Sequence, residues 1–175
     1  MSNNKIYVGI DPGAKGFITA VVNGKYDFLS ISDNNVIEIN KYLASLKSQG
    51  EVVAIMEEVH AIFGSAAKAT FSFGGIFGLL KGLLIANNIP YHLIPPKTWQ
   101  KEIWTNADVV VTYKNVVVKG KTTVRKEINT KATSLKAAIR MFPTIDFRKT
   151  ERCKFPDDNK VDSLLIAEYG RRKNL

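Results

Sequence analysis

Apolar and polar positions near the start of the chain follow the two-residue repeat of β-strands. In the stretch KIYVGIDPGAKGFITAVV, residues 5–22, an apolar run ends at Ile10, is interrupted by a Pro-Gly pair, and resumes at Phe17. This pattern predicts a β-hairpin with Asp11 at its mouth. A third strand is predicted over residues 25–32.

Downstream of this hairpin the chain alternates between helical and strand patterns. Apolar residues recur at helical spacing between residues 34 and 47, and the continuous run VVAIM, Val52 to Met56, predicts a strand buried on both faces. The remaining predicted elements are, in order, a helix over 65–87, a strand over 89–94, a short helix that begins at Pro95-Pro96, a basic β-hairpin insertion within 105–131 with its turn at Lys114 and Asn115, a helix over 133–141, and a last helix within 156–172 with Asp157 as its N-cap.

Length and composition limit the organisation of the protein. Its 175 residues, of which 45% are hydrophobic, can bury one sizeable core, so we predict a single domain over residues 1–175. Cys153 is the only cysteine, which excludes an intramolecular disulfide and favours a reducing compartment. The first residues, MSNNK, carry no apolar run typical of a signal peptide, and no stretch of the sequence is apolar enough to span a bilayer. We therefore expect a soluble, cytoplasmic protein.

The charge balance indicates a polyanionic partner. Lysine and arginine total 25 against 16 acidic residues, a net charge of +9. Net charge alone is weak evidence, because many basic proteins are merely soluble, but its placement adds to it. Thirteen basic and five acidic residues lie between Lys101 and Lys154. A solvated loop explains part of this excess, and its concentration favours a face that meets nucleic-acid phosphates.

Three glycines form a row on the predicted helix over 65–87. Gly74, Gly78 and Gly82 follow one another at intervals of four residues and therefore share one helix face. Each costs roughly 1 kcal/mol of helix propensity relative to alanine, so the row calls for a structural reason. Close backbone approach is that reason, either to another element within the fold or to a second copy of the chain across a dimer axis.

Carboxylates terminate two of the predicted strands. Asp11 follows the first strand, and Glu57 and Glu58 follow the VVAIM strand. Successive side chains of a strand point to opposite faces, so only one of the two glutamates can face Asp11. Asp11 could also serve only to open an Asx-type turn before Pro-Gly. If the two strands are neighbours, however, their carboxylates form one site.

A second pair of carboxylates lies on the last helix. Asp158 and Asp162 are four residues apart and so share a helix face, where like charges repel unless a cation neutralises them. The helix dipole explains an acid at the N-terminus, as at Asp157 and Asp158, but not Asp162 within the helix. Carboxylates at strand and helix ends, without a histidine or cysteine cluster, form an oxygen donor set suited to Mg²⁺ or Mn²⁺. Together with the basic charge, this set indicates phosphodiester hydrolysis.

Several motifs, in this order and spacing, resemble the RuvC-type Holliday junction resolvases, and most closely their phage-borne branch. They are GIDPGAKG, EEVH, FSFGGIFGLLKGLL, PPKTWQKEI, KATSLKAAIRMFP and DDNKVDSLLIAEYGRR, and they cover nearly the whole chain. The resemblance implies an α/β, RNase H-like fold with a five-stranded mixed sheet, its first three strands antiparallel, flanked by helices.

The resemblance also implies the roles of the acidic residues. It selects Glu57 rather than Glu58, and a four-residue spacing like that of phage members selects Asp158, with Asp157 in reserve because Asn159 stands three before Asp162. The implied catalytic residues, which are also the implied ligands of two Mg²⁺ ions replaceable by Mn²⁺, are Asp11, Glu57, Asp158 and Asp162.

Residues implied to bind DNA fall into three groups. His60 lies where such enzymes contact an unstacked base, although a satisfied surface histidine fits equally well. Gln100 follows the tryptophan of the PxxW motif where many relatives have lysine, so either Lys97 or Lys101 provides the cation. The basic residues of the insertion, which is longer than in cellular enzymes, are expected to meet phosphates: Lys119, Lys121, Arg125, Lys126 and Lys131.

The implied function is metal-dependent cleavage of four-way junctions, and possible further substrates are forks and flaps. Two symmetric nicks by a two-metal mechanism require a C₂ homodimer, with no organic cofactor and no membrane partner. For a phage-encoded protein the compartment would be the bacterial host cytoplasm. Two other classes compete with this reading. One is an actin-like ATP-dependent kinase fragment, because DPGAKG also resembles the phosphate turn of that superfamily, and the other is a non-catalytic branched-DNA-binding protein.

Overall fold

The computed structural model of the protein describes residues 5–32, 34–58, 67–118 and 121–175, and at residues 67–69, 118 and 121 only the backbone. Within these ranges, no helix combines the length and the apolar composition needed to cross a membrane.

Five strands form one mixed sheet. They are β1 (Lys5–Ile10), β2 (Phe17–Val22), β3 (Lys25–Ser30), β4 (Glu51–Glu57) and β5 (Tyr91–Ile94), in the order β3-β2-β1-β4-β5. Strand β2 pairs antiparallel with both β1 and β3, whereas β4 pairs in parallel with both β1 and β5. This arrangement confirms the predicted five-stranded mixed sheet and makes β1 and β4 its central strands.

Helices cover both faces of the sheet. The five helices of the described residues are α1 (Val36–Gln49), α2 (Ala67–Ala86), α3 (Pro96–Ile103), α4 (Thr130–Met141) and α5 (Asp158–Lys173). Helices α1 and α2 contribute to the core on one face, and α3, α4 and α5 to the core on the other. Asn35 begins α1 with a capping box, and Asp157 caps α5 as predicted. The sheet is therefore buried between two helical layers.

Strand β4 shows why the sequence predicts burial on both faces. Val52, Ala54 and Met56 pack into the core on the side of α1 and α2, while Val53 and Ile55 pack into the core on the side of α5. All five side chains are at most 4% exposed. A continuous run of apolar residues is what a strand covered on both faces requires.

Gly9 brings α5 close to the centre of the sheet. A Cβ atom at Gly9 would fall on the carbonyl oxygen of Ser163 and on the backbone nitrogen of Ala167, both in α5. Next to this contact, the hydroxyls of Thr19 in β2 and Ser163 are 2.7 Å apart and hydrogen-bonded. The absence of a side chain at Gly9 therefore sets the distance between α5 and β1, and with it the position of the acidic residues at the start of α5.

The basic hairpin is present, but its predicted turn is wrong. Strand β6 (Val111–Val118) runs without interruption through Lys114 and Asn115, and β7 (Lys121–Ile128) pairs with it in an antiparallel two-stranded sheet. The connection falls between Val118 and Lys121, where the sequence has Gly120, a residue type that short hairpin turns favour. The β-branched residues on both sides of Lys114 and Asn115 extend the strand through these two polar positions.

The predicted close contact of the glycine row within the fold is also wrong. A Cβ atom at Gly74, Gly78 or Gly82 would meet no atom within 4 Å in the part of the chain that the structure describes. The face of α2 that carries the row is exposed, together with the apolar side chains of Phe71 and Ile85, which are 84% and 62% exposed. The alternative reason for the row, a contact with a second copy, stays a prediction.

Candidate active site

Two of the predicted site residues lie side by side at the end of the central strands. Strands β1 and β4 are parallel, with Ile10 opposite Met56. Asp11 and Glu57 are the residues that come next along these two strands. The parallel pairing brings the carboxyl ends of both strands to the same edge of the sheet. The prediction that the two strands are neighbours is therefore confirmed.

The turn after β1 is built around Asp11. A backbone hydrogen bond from Gly13 reaches the Asp11 carboxylate, and the amide of Gly16 donates to the carbonyl of Gly13 at 2.8 Å. A Cβ atom at Gly16 would fall on the Asp11 carbonyl oxygen, so this position requires glycine. The turn does contain the local hydrogen bond expected of an Asx-type turn, and it also fixes Asp11 beside Glu57.

A buried tryptophan orients Glu57. The indole Nε1 of Trp99, in α3, donates a 2.8 Å hydrogen bond to Oε2 of Glu57. Trp99 is fully buried, so its ring cannot easily turn away from this partner. The conformation of the Glu57 side chain is therefore set by the core.

Asp162 enters the same region from α5. The Ser134 hydroxyl, from α4, hydrogen-bonds the Asp162 carboxylate, while Asp162 Oδ1 is buried and has no hydrogen-bond partner among the described residues. A buried carboxylate oxygen without a donor is costly, and a cation is one way to satisfy it.

The neighbouring acids of α5 have different partners. The Asp157 carboxylate accepts hydrogen bonds from the backbone amides of Asn159 and Lys160 at 2.9 and 3.3 Å and so caps the helix. Asp158 instead forms an ion pair with Lys131 of α4, with 2.8 Å between Oδ2 and Nζ. Asp158 is therefore the acid of this pair whose carboxylate is not used by the helix cap.

The pKa values of the inner carboxylates are raised by burial and by one another. Burial, followed by the negative charge of Glu57, raises the pKa of Asp11 to about 7, although Gly13 and Lys131 act in the opposite direction. Burial raises the pKa of Asp162 to about 8, and the charges of Asp11, Glu57 and Asp158 add to this effect. Burial also raises the pKa of Glu57, opposed by the Trp99 hydrogen bond. These mutual effects place the four carboxylates in one electrostatic environment.

The donor set fits a hard divalent cation. All of its groups are carboxylates, and the orphaned Oδ1 of Asp162 together with the raised pKa values marks a site that favours positive charge. Within the described ranges, no three acidic, histidine or cysteine side chains are placed so that they could hold one ion together. Glu57 is hydrogen-bonded to Trp99, and Asp158 forms an ion pair with Lys131, so both carboxylates already have partners in this structure.

Four of the predicted DNA-binding residues are exposed. Lys97 and Lys101 are exposed on α3, the helix that carries Trp99, and Arg125 and Lys126 are exposed on β7. Lys131, expected to meet phosphate, is instead engaged with Asp158. The remaining predicted contacts cannot be located: His60 and Lys119 lie outside the described residues, and Lys121 is described only by its backbone.

Sequence reasoning missed the residues that support the carboxylates. In the sequence, Trp99 stands out only as part of the PxxW motif, and no pattern distinguishes Ser134. Their partners, Glu57 and Asp162, are 42 and 28 residues away in the sequence, so no local pattern connects them. The available signal was a tryptophan in a short amphipathic helix, which must be buried with a partner for its N–H group.

Comparison with solved structures defines the class of fold. A scan against protein-family models and a search of curated proteins gave no match. The structure is similar to solved structures of the RNase H-like fold, so the predicted fold class is confirmed. One of these structures is Thermus thermophilus RuvC in complex with a Holliday junction substrate, at 12% sequence identity and a TM-score of 0.55, over 97% of this chain and 94% of that chain. A second solved structure, T. thermophilus RuvC, matches at 11% sequence identity and a TM-score of 0.46, over 97% of this chain and 96% of that chain. The phage-borne branch stays a prediction.

Proposed function

We propose that this protein is a metal-dependent endonuclease that resolves four-way DNA junctions by symmetric nicking of phosphodiester bonds. The observation that carries the proposal is that Asp11, Glu57 and Asp162, half-buried near the ends of the central strands, all have raised pKa values, and that the charges of Asp11 and Glu57 add to the raised pKa of Asp162. The likeness to a RuvC structure that contains a Holliday junction substrate supports branched DNA as the substrate class.

The ions in this proposal are two Mg²⁺, which Mn²⁺ could replace, held by Asp11, Glu57, Asp158 and Asp162. Bound Mg²⁺ supplies the positive charge that activates water and stabilises the leaving 3′ oxygen of the cut strand. The chain itself orients the ligands: Trp99 holds Glu57, Ser134 holds Asp162, and the Asp157 cap fixes the start of α5. Lys131 neutralises Asp158 and must release it when an ion binds.

Exposed basic residues provide DNA affinity in the proposal. Lys97, Lys101, Arg125 and Lys126 are exposed and would meet phosphates along the DNA arms, where each neutralised phosphate releases condensed counterions. The same role is proposed for His60, Lys119 and Lys121, and for Lys131 once Asp158 is released. Phosphate contacts position the DNA, so they do not by themselves select a cleavage sequence.

A substrate panel tests the proposed function. End-labelled four-way, three-way, flap and linear duplex DNA is incubated with the protein, with Mg²⁺ or with EDTA. The proposal requires Mg²⁺-dependent paired nicks in the four-way junction and little cutting of linear duplex. Junction binding without cleavage would identify a non-catalytic binder, and tight metal-dependent ATP binding would revive the kinase alternative.

We also propose a homodimer, in which the exposed face of α2 contacts a second copy. Gly78→Leu should abolish the dimer without unfolding the monomer, because a Cβ atom at Gly78 meets no described atom within 4 Å. Multi-angle light scattering at micromolar concentration gives the oligomeric state, and thermal unfolding gives the stability.

Ser72→Leu provides the matched control for the dimer. It adds the same side chain to an exposed position of the same helix, about 120° around the helix axis from Gly78. The control should stay dimeric. A wild-type protein that is monomeric at micromolar concentration would contradict the dimer, and a Gly78→Leu variant that remains dimeric would exclude this face.

Metal binding should depend on pH in a defined direction. Because burial raises the pKa of Asp11 to about 7 and that of Asp162 to about 8, protonation stabilises the metal-free fold at low pH. This stabilisation is complete below the unfolded-state value of about 4 and is lost as pH rises through 7 to 8. The melting temperature without metal should therefore fall between about pH 4 and pH 8. The increase in melting temperature caused by Mg²⁺ should be larger at pH 8.5 than at pH 6.

Asp162→Asn tests whether the site causes this pH effect. The variant removes one of the two titrating groups, so its Mg²⁺-induced shift in melting temperature should be small at both pH values. Equal Mg²⁺ shifts in the wild type at pH 6 and pH 8.5 would contradict the assignment of Asp11 and Asp162 as ligands. The measurement needs no DNA and no cleavage.

A further inference from the structure

The hairpin formed by β6 and β7 has two chemically different faces. Residues directly opposite one another in an antiparallel pair share a face, and the faces alternate along the strands. One face carries the pairs Val111–Ile128, Tyr113–Lys126, Asn115–Val124 and Val117–Thr122. The other carries Thr112–Glu127, Lys114–Arg125 and Val116–Thr123. We call the first the apolar face of the hairpin and the second its polar face.

The apolar face is open to solvent. Val117 is 73% exposed, Tyr113 68%, Val124 66% and Ile128 52%. The hairpin is a separate two-stranded sheet and does not pair with the five-stranded sheet. Large apolar side chains grouped on one exposed face are typical of an interaction surface rather than of a solvated loop.

The hairpin starts beside the carboxylates. At its base the amide of Asn129 donates to the carbonyl of Val110 at 2.8 Å, and Val110 donates to the Thr133 hydroxyl at 3.1 Å. Lys131, three residues after the end of β7, is the residue paired with Asp158. Eight strand residues span about 26 Å. From its base near the candidate active site, the hairpin therefore extends over a length comparable to the width of a DNA duplex.

An ion pair between a buried carboxylate and an arginine holds the segment that enters the hairpin. Arg140 of α4 donates from Nε and Nη2 to Asp108 at 2.9 and 2.8 Å, and Asp108 also accepts from the backbone and hydroxyl of Thr105, both at 2.7 Å. Asp108 is only 2% exposed. The two-point contact fixes the base of the hairpin relative to α4, so the apolar face is presented in a defined direction.

The charges of the hairpin favour nucleic acid over a second copy of the chain as the partner. Lys114 and Arg125 lie opposite each other on the polar face and share Glu127, at 2.9 and 3.8 Å. On the apolar face, Lys126 lies directly opposite Tyr113. A lysine at the centre of a self-association surface would bring like charges together, whereas an aromatic ring beside a cation suits a base and its phosphate.

We propose that the hairpin is a wedge whose apolar face packs on nucleobases left unstacked at a DNA branch point, with Tyr113 stacked on a base and Lys126 at its phosphate. This inference rests on the proposed function, and it assigns to the hairpin a role that phosphate contacts alone do not provide. The wedge selects branched DNA, because only a branch exposes base faces beside the active site.

Equilibrium binding in EDTA, which prevents cleavage, tests the wedge. Tyr113→Ala should weaken binding to a four-way junction about tenfold and leave binding to linear duplex unchanged, since stacking on a base is lost but phosphate contacts remain. Tyr113→Phe should retain the wild-type affinity because it keeps the ring. Thr123→Ala, an exposed hydroxyl on the polar face, is the matched control and should bind both DNAs normally.

A fluorescent base reports the contact itself. With 2-aminopurine at the junction centre and saturating protein, the wild type should change the fluorescence, and Tyr113→Ala should produce a smaller change than Thr123→Ala. Equal junction affinity and equal fluorescence for Tyr113→Ala and the wild type would overturn the wedge. A Tyr113→Ala variant that loses dimerisation but keeps its junction affinity would assign the apolar face to a second copy and also overturn it.

The same experiment separates the wedge from the proposed function. If the wild type cleaves junctions with Mg²⁺ but Tyr113→Ala keeps its preference for junctions over duplex, the function stands and the wedge fails. If the wild type binds four-way and linear DNA equally and cuts neither, both fail.

Discussion

Asp11→Asn and Asp162→Asn should each reduce cleavage of a four-way junction about a thousandfold or more. Each change removes one of the carboxylates proposed to hold Mg²⁺, from a site whose acids raise one another's pKa values. Without the ion, the positive charge needed at the scissile phosphate is lost. A loss of about 4 kcal/mol of transition-state stabilisation corresponds to this factor. The rate is measured as single-turnover cleavage of end-labelled junction with Mg²⁺.

Junction affinity should survive these changes. Affinity in the proposal comes from basic residues that meet phosphates, and removal of a negative charge beside the DNA does not weaken those contacts. Each variant should therefore bind the junction at least as tightly as the wild type in EDTA. Loss of binding together with cleavage would mean that Asp11 or Asp162 supports the fold rather than a metal ion.

Glu57→Gln should have the same effect on cleavage, and Glu58→Gln is the matched control one residue further along. Only Glu57 receives the Trp99 hydrogen bond and contributes to the raised pKa values of Asp11 and Asp162. Glu58→Gln should cleave normally. On α5, Asp158→Asn should abolish cleavage and leave stability nearly unchanged, whereas Asp157→Asn, which keeps a side-chain acceptor at the cap, should remain active. The opposite result would exchange the roles of Asp157 and Asp158.

Gly9→Ala should destabilise the protein by about 3 kcal/mol or more. The added methyl group would fall on the backbone of Ser163 and Ala167, which cannot move aside as a flexible side chain can. To accommodate it, α5 must move away from β1, and Asp162 moves with the helix. We therefore expect a lower midpoint of urea unfolding and a reduced cleavage rate in the variant that remains folded.

Gly82→Ala is the control for this substitution. A Cβ atom at Gly82 meets no atom of the described residues within 4 Å, and alanine gains helix propensity, so the variant should be more stable by up to about 1 kcal/mol. The two variants are compared by urea unfolding only, because Gly82 lies on the face of α2 that is proposed to contact a second copy. If Gly9→Ala unfolds at the same urea concentration as the wild type, α5 does not pack on β1 as closely as described.

The sequence pattern was sufficient for the sheet because burial acts residue by residue along a strand. Alternation marked β1 and β2, a continuous apolar run marked β4, and Asp11 and Glu57 followed directly from where those strands end. The predicted position of the hairpin turn was wrong because two polar residues, Lys114 and Asn115, interrupt the apolar pattern of the strand. Exposed strand positions tolerate polar side chains, so the strand continues through them.

The close contacts around the site could not be predicted from local patterns. Gly9 and Gly78 are both glycines in regular elements, yet one is pressed against α5 and the other faces open space, and only the three-dimensional packing separates them. The same holds for the hydrogen bond from Trp99 to Glu57, which joins residues of different elements. Such pairs depend on how α3 and α5 pack on the sheet.

The hydrogen bond between Asn129 and Val110 makes the hairpin a replaceable cassette. Val110 and Asn129 flank the hairpin at its two ends, and the amide nitrogen of Asn129 lies 2.8 Å from the carbonyl oxygen of Val110. The chain continues from Asn129 into α4. A short Asn-Gly turn in place of residues 111–128 would close this gap and leave Asp108, Arg140 and Lys131 in the retained part of the chain. Hairpins of other lengths or sequences could be grafted onto the same two residues, so the hairpin can be varied separately from the five-stranded sheet and its carboxylates.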